Sequence, residues 1–239
     1  MSAPGDLELL QLRAGVDFCV GDQAATQMAN YVYAVLEPRR HEALLVDPAW
    51  APSELVDRLE AADYRLVGAV LTHYHADHAG GSLGRLEVPG VAELLERCAV
   101  PIHVQRDELA WLEAASGLER SVFTAHDDAD VLSVGEGALR LVHTPGHTPG
   151  SQCVLIGHRA LTGDTLFLDG CGRTDLPGGD ASELHHTLTR RIAAWEDSTA
   201  IYPGHAYSPV PSAPLGMLRA TNPVLAPLGE ADWAARFTG

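Results

Sequence analysis

The chain has 239 residues, 46% of them apolar, which suits one large α/β unit with a real core and lies far from disordered composition. Its formal net charge of −16 repels phosphate backbones, so nucleic acid is not an expected partner. No apolar run reaches the ~18 residues of a membrane span, and Asp6, Glu8 and Asp17 interrupt the stretch where a secretory signal would lie.

Residues 1–28 give no clear periodicity. Tyr31 to Leu36 and Glu42 to Val46 read as strands around a turn at Pro38-Arg39-Arg40. Asp47-Pro48 closes the second strand, either as a turn initiator or as a carboxylate beside a site. A helix is expected from Pro52-Ser53 through Ala62, with Ser53 as N-cap and Leu55 and Leu59 on one face. Leu66 to Leu71 is an apolar run of strand length, and Thr72-His73-Tyr74-His75-Ala76-Asp77-His78 follows it, then Gly80-Gly81. Such a loop at the end of a buried strand is where α/β proteins commonly place their sites.

Four metal-ligating side chains within six residues are hard to explain as core filling. In an extended loop His73 and His75 project to the same side and reach one cation. Asp77 and His78 then turn away toward a second. Imidazole with carboxylate suits zinc, iron or manganese.

Gly84 to Ala99 reads as an insertion beside the site. It holds a short helix from Val91 to Cys98, and Val91, Leu94 and Leu95 offer an apolar wall for a cover over the pocket. Ile102 to Val104 is a short strand and Arg106 to Ala115 a helix. Val131 to Val134 and Leu139 to His143 pair across Gly135-Glu136-Gly137. His147 follows in a loop punctuated by proline and glycine. Gln152 to Ile156 and Arg159 to Thr162 form a second hairpin, and Asp164 closes it. Leu168 to Gly179 is a glycine-rich loop holding Gly170-Cys171-Gly172-Arg173-Thr174-Asp175. A helix from about Ala181 to Trp195 and a strand from Ala200 to Tyr202 lead to His205. The tail after Tyr207 is rich in proline, with a short helix. Cys19, Cys98, Cys153 and Cys171 form no CxxC pair and read as reduced thiols, which makes the cytoplasm the expected compartment. No linker divides the chain, so a single domain over residues 1–239 is expected.

The His-x-His-x-Asp-His run, with His147 in Thr144-Pro145-Gly146-His147, Asp164 in Gly163-Asp164-Thr165 and His205 in Pro203-Gly204-His205, resembles the metallo-β-lactamase superfamily. The resemblance runs from about Asn30 to about Pro223. It implies a four-layer αββα sandwich of two mixed sheets flanked by helices. It also implies two divalent metal ions, zinc first, with iron or manganese accepted. His73, His75 and His147 would hold one, Asp77, His78 and His205 the other, and Asp164 would bridge them. A hydroxide between such cations attacks a carbonyl, and Asp77 orients it and takes its proton.

Within the superfamily the chain is similar to hydroxyacylglutathione hydrolases (glyoxalase II), which implies a small thioester or ester as substrate. It is also similar to persulfide dioxygenases, which use one iron on residues matching His73, His147 and Asp164. The short stretch after His205 leaves the thiol carrier open, because glyoxalase II proteins bind glutathione partly through a helical C-terminal domain. Arg173 either pins its own loop through Asp175 or holds a substrate carboxylate. Tyr207 stands two after His205, in reach of substrate or of a ligand. His41, His103, His126, His158, His185 and His186 match no motif and read as surface or core residues, and His143 as a support. A homodimer is compatible with this reading; a membrane partner is not.

Overall fold

A computed structural model describes residues 6–237 of the chain. The chain begins with β1 (Glu8–Arg13), then α1 (Gln23–Met28), β2 (Tyr31–Glu37), β3 (Glu42–Val46), α2 (Pro52–Ala61) and β4 (Arg65–Val70). A single helical turn, α3 (Ala76–Ala79), precedes a small hairpin of β5 (Gly81–Leu83) and β6 (Leu86–Val88). Then come α4 (Val91–Arg97), β7 (Ile102–Gln105), α5 (Leu109–Ser116) and β8 (Phe123–His126). The second half holds β9 (Val131–Val134), β10 (Gly137–His143), β11 (Gln152–Ile156), β12 (Arg159–Gly163), α6 (Ala181–His186), β13 (Ala200–Pro203), β14 (Ala213–Pro214), α7 (Leu215–Thr221) and α8 (Glu230–Phe237).

Two six-stranded sheets result, in the orders β1-β2-β3-β4-β7-β8 and β14-β13-β12-β11-β10-β9. Both are mixed. In the first, β3, β4, β7 and β8 run parallel while β1, β2 and β3 alternate. In the second, only β12 and β13 are parallel.

Strand periodicity explains the layers. On β2, Tyr31, Tyr33 and Val35 face the other sheet, where they meet Leu139, Leu141, Val154 and Leu161. The alternate residues Val32 and Ala34 face outward, under Leu55 and Leu59 of α2 and Leu94 of α4. Because both faces are covered, β2, β3 and β4 read as apolar runs with charged residues, Glu37, Glu42 and Arg65, only at their ends. The outer face of the second sheet is closed by Leu184, Leu188 and Ile192 and by Leu215, Leu218 and Trp233. This is the expected αββα sandwich. No helix among the described residues is long and apolar enough to cross a membrane.

Three local expectations need correction. Helix α2 starts at Pro52, not at a Ser53 cap: Ala51 is its N-cap residue, and the Ser53 N–H is taken by the Glu93 carboxylate of α4. The helix expected over 181–195 is one helical run in three geometries, with α6 followed by a π turn at Thr187–Arg191 and a 3-10 turn at Ile192–Ala194. The segment 84–99 is no cover over the site. Val91 and Leu94 are buried in the outer core, because α4 packs on α2. Gly90 abuts Gly80, a close backbone approach that leaves no room for a side chain.

Candidate metal centre

All seven predicted ligands lie at one end of the sandwich, where loops from both sheets meet. His73 and His75 follow β4, and Asp77 and His78 sit on α3. His147 lies between β10 and β11, Asp164 follows β12 and His205 follows β13. Ligand atoms of His73, His75 and His147 lie within 4.8 Å of one another, as do those of Asp77, His78 and His205. Asp164 stands between the two groups. Its Oδ1 is 3.4 Å from His78 Nε2, and its Oδ2 is 3.6 Å from His147 Nε2 and 3.4 Å from His205 Nε2.

His73, His78, His147 and His205 are each oriented through a ring nitrogen that faces away from the cluster. His147 Nδ1–H donates to the Arg173 carbonyl at 2.7 Å and His205 Nδ1–H to the Met28 carbonyl at 2.8 Å. His78 Nδ1–H donates to Asp47 Oδ2 at 2.9 Å. Asp47 also accepts the Thr72 N–H and the Thr72 hydroxyl, each at 2.6 Å, and that hydroxyl stands 3.0 Å from His73 Nδ1. Both Asp47 oxygens are therefore committed to donors, so this carboxylate orients ligands rather than joining them. The demand on its backbone is visible: Asp47 sits at φ 54°, a left-handed conformation that a non-glycine residue seldom adopts.

Two glycines make the close packing possible. A Cβ on Gly204 would lie 2.5 Å from Asp164 Oδ1, and one on Gly172 would lie 2.7 Å from His147 Nδ1. Hence the Pro-Gly-His and Cys-Gly-Arg spacings.

The electrostatics divide the two groups. Burial, reinforced by neighbouring imidazoles, pushes His73 well below its ordinary value and His75 down to about 4. Burial likewise pushes His147 down, against the pull of Asp164. These shifts favour the neutral imidazole, which is the ligating form. Burial also opposes the charge on His78, but Asp77, Asp164 and Asp47 outweigh it and hold the ring up at about 10. Burial opposes ionisation of Asp164 too, yet His205 and His78 keep its carboxyl well below the usual range.

His73 Nε2, His75 Nε2 and Asp164 Oδ1 are buried and have no hydrogen-bond partner. Orphaned buried polar atoms are costly, and His73 Nε2 and Asp164 Oδ1 fit a bound cation, whereas His75 meets the cluster through its other nitrogen, Nδ1, 2.9 Å from His147 Nε2. The His/Asp cluster fits a dinuclear centre of metallo-β-lactamase type.

The other expectations sort by distance. His103 Nδ1 faces His126 Nε2 at 2.9 Å, and His126 Nδ1–H donates to Asp130 at 3.1 Å; neither ring joins the centre. His143 Nε2–H donates to the Pro149 carbonyl at 2.8 Å, pinning the His147 loop. Arg173 and Asp175 form a two-pronged ion pair, at 2.6 and 2.5 Å, at the edge of the pocket. Tyr207 stacks on His205 with centroids 4.7 Å apart and planes 9° from parallel. Cys171 also lines the pocket. The cavity over the centre measures about 790 Å³, and Leu83, Ala115, Phe167 and Tyr207 supply its apolar wall.

Sequence reasoning missed Asn30. Its Nδ2–H donates to Asp77 Oδ2 at 3.0 Å, while its Oδ1 accepts Trp50 Nε1–H at 3.1 Å, which fixes which way the amide points. An asparagine at the start of a strand gives no signal of this. Loss of His205 should remove about one of two metal equivalents, because His73, His75 and His147 stay intact. Elemental analysis of His205→Ala beside the parent protein checks it, and equal metal content in the two would count against separate sites.

Residues 26–205 match the Metallo-beta-lactamase superfamily model, and the chain belongs to that superfamily. Among its relatives is the probable polyketide biosynthesis zinc-dependent hydrolase BaeB of Bacillus velezensis, 29% identical over 81% of this chain and 80% of that one. Bovine persulfide dioxygenase ETHE1 is 33% identical over 82% and 71%, and hydroxyacylglutathione hydrolase of Aeromonas salmonicida 36% over 75% and 62%. The crystal structure of ETHE1 from Myxococcus xanthus superposes with a TM-score of 0.76 at 26% identity, covering 89% of this chain and 86% of that one. The chain is thus an enzyme of a superfamily in which its relatives are named hydrolases and dioxygenases.

Proposed function

We propose that the chain is a metal-dependent hydrolase of small thioesters or esters. The observation that carries this reading is the position of Asp164 between two complete ligand groups. Two divalent cations bound there, zinc first, supply an acidified water and a Lewis acid for a carbonyl. The protein's own groups do the rest. Asp77, held by Asn30 and 3.4 Å from His205 Nε2, stands on the pocket side and takes the proton from the attacking water at its carboxylate. The same carboxylate then returns that proton to the departing thiolate or alkoxide. Phe167, Leu83 and Ala115 exclude water beside the acyl group. Tyr207, locked on His205, forms one wall, and Arg173 reaches a substrate carboxylate by exchanging Asp175 for it. In this reading the protein works as a cytoplasmic enzyme on a small molecule, without nucleic acid or membrane.

A second reading, an iron-dependent persulfide dioxygenase, is favoured by the likeness to ETHE1 and by the Gly170–Asp175 loop against His147. It would use His73, His147 and Asp164. One paired experiment separates the two. Zinc-loaded and iron-loaded protein are each offered a short acyl thioester and, separately, glutathione persulfide under an oxygen electrode. Hydrolysis predicts thioester cleavage without oxygen uptake. Oxygen uptake that requires iron and persulfide, with no thioester cleavage by either form, overturns the hydrolase.

A further inference from the structure

Glu108 precedes α5 and is only 1% exposed, and among the described residues no arginine or histidine side chain bonds to it. An unpaired carboxylate is costly to bury, and an apolar residue would fill the same space at less cost. What it has instead is three donors. Its Oε1 accepts the Tyr74 N–H at 2.7 Å and the Thr148 hydroxyl at 2.7 Å, and its Oε2 accepts the Gly150 N–H at 2.6 Å. Burial pushes its carboxyl up to about 7 against the pull of those hydrogen bonds.

The identity of the donors matters. Tyr74 lies between His73 and His75, and Thr148 directly follows His147. One carboxylate therefore grips both loops that supply the first ligand group. Those loops come from different sheets and share no backbone pairing through Tyr74 and Thr148. The grip is reinforced on each side. Tyr74 stacks on Trp111 of α5 with centroids 5.5 Å apart, and Ser151 Oγ accepts the Thr148 N–H at 3.0 Å while facing its hydroxyl at 2.7 Å. Gly150 is a glycine because a Cβ there would lie 2.6 Å from the Glu108 Cβ.

We infer that Glu108 is the positioning residue of the first metal site, setting the separation of the His73/His75 and His147 loops through three charge-assisted hydrogen bonds without itself touching the metal. The inference concerns the centre, not the reaction, and it holds for a hydrolase and a dioxygenase alike.

The test uses cobalt(II) in two backgrounds. His205→Ala leaves the first site to be titrated, and His147→Ala leaves the second. In the first background, Glu108→Gln turns one acceptor into a donor facing an N–H, and cobalt affinity should fall about tenfold to a hundredfold, as for other supports of metal ligands. The visible absorption of the bound cobalt should shift as well. In the second background the same substitution should change affinity less than about twofold. Thr148→Val, which removes one of the three bonds, should weaken the first site by a smaller factor, and Thr148→Ser should restore it. Unchanged first-site affinity in folded Glu108→Gln protein overturns the inference, as does equal weakening of both sites. Should Glu108→Gln fail to fold, Thr148→Val decides: an unaltered first-site affinity and spectrum overturn it.

Discussion

Asp77→Ala should lower kcat for a thioester by on the order of a hundredfold or more while KM moves little, the pattern of a lost general base rather than a lost binding contact. The geometry that leads to this is specific. Asp77 is 7% exposed, its Oδ2 is fixed by Asn30, and it borders the pocket. It also belongs to the second ligand group, so lost activity alone could come from a lost cation. Asp77→Asn separates the two effects, because the amide keeps a ligand oxygen but cannot accept the proton. The expected result is near-full metal content with kcat close to that of the alanine variant. An asparagine variant with two metals and undiminished kcat would remove Asp77 from the proton path.

Asp164→Ala should be more damaging still. Each single histidine serves one group, whereas Asp164 faces both. Without it, His78 and His205 lose the buried anion that draws charge toward them, and two cations would face each other unscreened. Metal content should fall to one equivalent or less. Turnover should fall on the order of a thousandfold or more, because several kcal/mol of transition-state stabilisation go with the second cation. Elemental analysis and initial rates check this together. A variant that keeps two metals and turnover within tenfold of the parent would show that Asp164 does not bridge.

Metal chemistry made the centre legible in advance. Few residue types bind such cations, and their spacing along a loop is narrow, so His73, His75, Asp77 and His78 stand out against any background. The buried strands were equally legible, since both faces of β2, β3 and β4 are covered and their residues are apolar except for Glu37, Glu42 and Arg65 at the ends. Strands at the rims were not. In β1, Glu8, Gln11 and Arg13 break the apolar pattern, and β8 spans only Phe123 to His126. Nor were the supports. Glu108 and Asn30 act on groups that are 34 to 47 positions away in sequence, and two of the three donors to Glu108 are backbone N–H groups that every residue but proline carries. The segment 84–99 misled because glycine and proline mark tight packing as often as motion.

The ligands are shared unequally along the chain, and this has a consequence for biogenesis. Four of them, His73 to His78, come from the first sheet's half, while His147, Asp164 and His205 come from the second. Neither ligand group is complete without a residue from the later half. During synthesis the early loop emerges before any of its partner ligands, and His205 comes last, after β13, which pairs with β12 in the folded chain. Cations bound here would act as a clasp between two halves of one polypeptide, and their binding free energy would become folding free energy. Chelation should loosen the seam where the Tyr31 N–H meets the Gly204 carbonyl before it disturbs either sheet, and amide exchange should report it there first.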